Sequence, residues 1–66
     1  MRFKELDVVK TLIDFPEEKI GKGEIGTIVL IHTVPREGYE VEFVNDDGET
    51  KAVFAILPDD IEKVLY

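Results

Sequence analysis

The chain has 66 residues, no cysteine, and fifteen acids against eight bases, for a formal net charge of −7. That length allows one domain spanning 1–66 that buries roughly 60% of its unfolded surface and has a total stability of about 3 to 10 kcal/mol. No disulfide, thiolate nucleophile or cysteine zinc site can contribute, so the core holds the fold alone or with a partner, a homodimer being one solution.

In chain order, the first segment, Glu5 to Ile13, reads as a strand because Val8-Val9 and Thr11-Leu12-Ile13 are rich in β-branched residues. Neither parity holds all its apolar residues, which predicts a bulge or two-sided burial. A helix through Leu6, Val9 and Ile13 is the competing pattern. Asp14 to Gly21 is a loop, since Pro16 removes a donor and biases Phe15 toward extended backbone. Phe15 and Ile20 are expected to fold back onto the body of the domain. Gly23 and Gly26 then lead into Thr27-Ile28-Val29-Leu30-Ile31, and glycines so placed serve a tight turn or a close backbone approach. Four consecutive aliphatics predict a long, bent strand buried on both faces over part of its length.

His32 to Gly38 forms a turn, after which Tyr39-Glu40-Val41-Glu42-Phe43-Val44 alternates clearly and sends Tyr39, Val41 and Phe43 inward. Asn45-Asp46-Asp47-Gly48 is a hairpin turn whose Asp-Gly pair supplies a positive φ. Along the partner strand, Glu49 to Leu57, the pattern leaves register open: Ala52, Phe54 and Ile56 share one face, and Lys51, Val53, Ala55 and Leu57 the other. Pro58-Asp59-Asp60 is a start signal for one helical turn, because proline suits the first helical position and acids meet the positive end of the dipole. Glu62 to Tyr66 closes the chain as a short strand, the alternative being a continued helix with Ile61, Val64 and Leu65 on one side.

The fold expected from this order is all-β: a small five-stranded SH3-like barrel with a one-turn helix before the last strand. Its expected core is Ile28, Val29, Ile31, Val41, Phe43, Phe54 and Ile61. Glu5-Leu6-Asp7-Val8-Val9, Lys22 through Val29, Tyr39 through Phe43, Asp47-Gly48, Leu57 and Asp60-Ile61 together resemble a family of short bacterial proteins known as Domain of Unknown Function 4926. The resemblance implies the barrel and carries no catalytic residues. It also implies that some members lie beside toxin genes.

Chemistry is sparse. Serine and cysteine are absent and His32 is the single histidine, so the usual triads are excluded and the chain is not expected to be an enzyme. His32 fits a half-exposed strand end better than a base or ligand. Glu40 and Glu42 stand about 7 Å apart by strand rise, a spacing that suits inverting glycoside hydrolysis. They lie, however, on an outer face with no cleft implied. Asn45 to Glu49 is too short for a calcium loop and lacks its later bidentate glutamate. The glycines precede a strand, so no helix N-terminus is offered to phosphate, and neither a cofactor nor a metal is expected. No segment is long and apolar enough for a signal peptide or membrane span, which leaves a soluble cytoplasmic protein as the default. A bias toward Glu and Lys, with no Ser, Gln, Cys or Trp and one Asn, is of the kind seen in proteins from hot environments.

For function, a surface of this sign repels phosphate and favours basic partners. A polyproline groove usually includes a tryptophan, which is absent here. The leading expectation is an acidic protein-binding module, an antitoxin or immunity-type partner of a basic protein. The alternative is an RNA- or ribosome-associated barrel of the KOW type, disfavoured because the loops carry Asp14, Glu17, Glu18, Asp46 and Asp47 against Lys19, Lys22 and Arg36. The expected site is an acidic patch of Glu40, Glu42, Asp46, Asp47 and Glu49 beside one base, Lys51. Phe15 and Tyr39 are its aromatic anchors if the barrel leaves them exposed.

Overall fold

The computed structural model describes residues 2–65; Tyr66, included above in the closing segment, lies outside them. Five strands, β1 (Val8–Thr11), β2 (Ile25–His32), β3 (Gly38–Val44), β4 (Thr50–Ile56) and β5 (Ile61–Lys63), form one antiparallel sheet in the order β4-β3-β2-β1-β5. Pro58–Asp60 makes the expected single helical turn, of 3-10 type, directly before β5. This is the element order of an SH3-like barrel. Among the described residues no pairing joins β4 to β5, so the barrel is open along that seam.

β1 is shorter than its apolar run. Val9 and Thr11 point into the core on a regular alternation with no register shift, and Leu12 and Ile13 lie beyond the strand's end. Of the bulge or two-sided burial expected there, no bulge occurs, and Val8 is half-buried on the parity opposite Val9; Leu12 and Ile13 lie where the chain leaves the sheet. Thr11 is buried yet satisfied, donating to the Gly21 carbonyl at 2.8 Å and accepting from the Glu24 N–H at 3.0 Å. It thereby ties the turn before β2 to β1. Gly23 sits at φ +90° in that turn, and a Cβ on Gly26 would stand 2.5 Å from Val41 Cγ1 and 2.9 Å from the Glu42 carbonyl. One glycine makes the turn and the other the close approach.

β2 departs from the two-sided burial its sequence suggests. Ile28 pairs with Val41 and Leu30 with Glu40, so Val29 is the extra residue of a bulge. Parity flips across it: Ile28 and Ile31 face inward, opposite Val41 and Tyr39, while Val29 is 39% exposed and Leu30 47%. Val29, expected in the core, therefore lies outside it. The core comprises Phe3, Val9, Ile20, Ile28, Tyr39, Val41, Phe43, Ile56 and Ile61, with Phe15, Ile31, Ala52 and Phe54 packed against it. Ile20 is buried and Phe15 half-buried, so the 14–21 loop folds back as expected, closed by a bridge between the two.

Candidate functional site

The alternation of β3 sorts its side chains. Tyr39, Val41 and Phe43 are sealed inside, and Glu40 and Glu42 stand on the outer face. Register then fixes their neighbours. Glu40 lies between Leu30 and Ala55, and Glu42 between Thr27 and Val53. Two carboxylates thus run down the middle of the outer face with exposed aliphatic side chains beside them: Val29 and Leu30 on the β2 side, Val53 on the β4 side.

Each carboxylate is held by one oxygen. His32 Nε2 lies 2.7 Å from Glu40 Oε2, and the Thr50 hydroxyl donates to Glu42 Oε2 at 2.7 Å. Both contacts fix a side chain and leave a second oxygen directed away from the bonded group. His32 itself is half-exposed at the end of β2. Thr50 follows Glu49 in the chain, so the outer face meets the β3–β4 turn at that point.

The turn supplies the remaining acids. Gly48 takes φ +88° and donates to the Asn45 carbonyl at 2.9 Å, while Asp47 Oδ1 accepts from the Glu49 N–H at 3.0 Å. Asp46, Asp47 and Glu49 are all exposed. Lys51, the base expected beside them, lines one surface cavity with Asp46 and Asp47 and also reaches Glu24. Phe43 pairs with Ala52 and Val44 with Thr50, so Lys51 is the extra residue of a second bulge, and its Nζ lies 3.0 Å from Glu24 Oε1. The Gly21 N–H, 2.7 Å from Glu24 Oε2, and then Lys51 hold the Glu24 carboxyl below its ordinary range.

Of the two expected aromatic anchors, Tyr39 is sealed inside and Phe15 is half-buried. Tyr39 is fully buried, its ring edge-on to Phe3 at 5.2 Å, its hydroxyl accepting from the Phe3 N–H and donating to Glu37. Burial, and then the Glu37 carboxylate, push its phenol above the ordinary value, while the same Tyr39 hydroxyl, with the Arg2 N–H, lowers Glu37. Phe15 packs edge-on to Phe54 at 5.1 Å against the core and keeps part of its surface exposed. The apolar component of the site is instead Val29, Leu30 and Val53, which a strict two-residue alternation assigns to the interior or leaves undecided. The signal for Val29 and Leu30 is the run of four aliphatics itself: too many for one inward face, and therefore a place to look for a bulge.

A family model for a domain of unknown function, DUF4926, matches residues 5–63, and the chain belongs to that family. Neither the curated proteins nor the solved structures contain a significant match to it.

Proposed function

We propose that the chain is a small acidic protein-binding module, without catalytic activity, that takes up a basic protein on the outer face of β2, β3 and β4. Its biological setting would be that of an antitoxin or immunity-type partner acting in the cytoplasm. The observation that carries this is the pairing of two outward carboxylates with flanking exposed aliphatics. Lysine and arginine are amphipathic in the same sense, with an aliphatic stem and a charged head. A stem laid on Leu30 or Val53 brings its head to Glu40 or Glu42. The exposed Asp46, Asp47 and Glu49 extend the negative potential beyond the contact, which raises the rate of encounter with a positive surface.

The test is a titration with the basic protein recovered from the native host by pull-down. Reversing Glu40 and Glu42 to lysine should lower affinity at least about tenfold at low salt and slow association, an effect that shrinks as salt is added. Unchanged affinity and rate at low salt would remove the outer face from consideration. Tight, steeply salt-dependent retention of RNA instead of protein would favour the RNA-binding alternative.

A further inference from the structure

The two edges of the sheet are built differently. β5 is three residues long, and two of them are charged and engaged: Glu62 with Lys10 at 3.2 Å and Lys63 with Asp7 at 3.6 Å. β4 is seven residues long, Thr50-Lys51-Ala52-Val53-Phe54-Ala55-Ile56, and its one charge, Lys51, is the bulged residue turned toward Glu24. From 52 to 56 the strand is regular and uncharged. Its backbone bonds to β3 on one side, and among the described residues no other backbone hydrogen bond reaches it. Short, charged, bulged edges resist pairing, whereas a long uncharged one presents a row of free donors and acceptors. The bulge protects one end of β4 and leaves the rest open.

The geometry points to this edge as a strand-addition site, at which a basic partner contributes an extended segment as a sixth strand beside β4. The inference rests on the function proposed above and specifies how the partner is held. Backbone pairing supplies affinity without sequence preference, and side chains on alternate positions supply the selection. On the outer face, a side chain of the added strand lies next to Val53 and Ala55. Glu40 and Glu42 are then two strand spacings away, about 10 Å, a span that extended lysine or arginine side chains cover across the aliphatic surface. On the inner face, apolar side chains of the same segment meet the uncovered flank of Phe54 and of Phe15, both half-buried beside the open seam. The segment so defined alternates basic and apolar residues. A second copy of this chain is the wrong occupant, because it brings two molecules of net charge −7 together edge to edge and offers no lysine or arginine row to Glu40 and Glu42.

The experiment adds a short peptide of alternating lysine and valine to the intact chain, with a glutamate–valine peptide as control, and follows amide hydrogen exchange residue by residue. The lysine peptide should slow the alternate, outward-facing amides within 52–56 by at least about tenfold, since strand pairing removes them from solvent, and the control should not. Resonance shifts confined to Glu40 and Glu42 with unchanged exchange in β4 would overturn strand addition while leaving the acidic face standing. Absence of any lysine-peptide binding would overturn it as well. Concentration-dependent self-association protecting the same amides would replace the basic partner with a second copy. Failure of the acidic face itself is read separately, in the titration of the charge-reversed variant with the basic protein.

Discussion

The inner and outer faces of β3 differ by one residue of phase and by nearly everything else. Inward, Tyr39, Val41 and Phe43 are closed over by Phe3, Ile28, Ile56 and Phe54, so a change there is felt through packing. Outward, Glu40 and Glu42 make single contacts to His32 and Thr50 at the surface, so a change there is felt by a partner and little by the fold. In so small a domain the backbone that places the carboxylates is also the middle of the core. The site is consequently as rigid as the fold.

The strongest way to break the inner face is Phe43→Ala, which removes the ring stacked on Phe54 at 5.6 Å. A cost of about 3 to 5 kcal/mol is expected, most of the stability of a chain this size, and denaturant unfolding or loss of dispersed amide resonances will show it. Gly26→Ala forces a Cβ against the Glu42 carbonyl, which is backbone and cannot rotate away. Overpacking of this kind costs about 1 to 3 kcal/mol or more, and the shift should appear in the unfolding midpoint. Thr11→Val keeps the shape and removes two hydrogen bonds, leaving the Gly21 carbonyl and Glu24 N–H short of partners for about 1 to 3 kcal/mol.

Titration tests the fold by a different route. Folding lowers Glu24 and Glu37 below their ordinary 4.5, so the stability they contribute is complete above that value and is lost as pH falls through the lower folded values. Tyr39 is raised above 10.0, so its contribution is complete below that pH and is lost as pH rises through the higher folded value. Thermal melts across pH should therefore fall off at both extremes. Tyr39→Phe should remove the alkaline limb and, because Glu37 then loses its main donor, weaken the acid one. The smallest effect on stability belongs to the outer face. Reversing Glu40 and Glu42 to lysine should change the unfolding free energy by no more than about 1 kcal/mol, while changing partner affinity as stated above. A large loss of stability in that variant would erase the distinction between the faces.

The sequence by itself determined what depends on neighbours along the chain. The β3 alternation, the Asp47-Gly48 hairpin, the Pro58 turn before a short last strand, the roles of Gly23 and Gly26 and the strand-end place of His32 all follow from local propensity and a period of two. Tertiary structure decided what depends on counting residues across strands. Ile28-Val29-Leu30-Ile31 reads as buried on both faces until pairing with Val41 and Glu40 makes Val29 the extra residue. Lys51 keeps its place beside the acidic turn, but its ion pair with Glu24, remote in sequence, comes from the bulge opposite Phe43 and Val44. Tyr39 goes inward as the β3 alternation has it, whereas Phe15 is half-covered because Phe54, distant in sequence, packs on it. A bulge is set by the mismatch between two strands, and burial by what arrives from elsewhere; neither is a property of the segment that displays it.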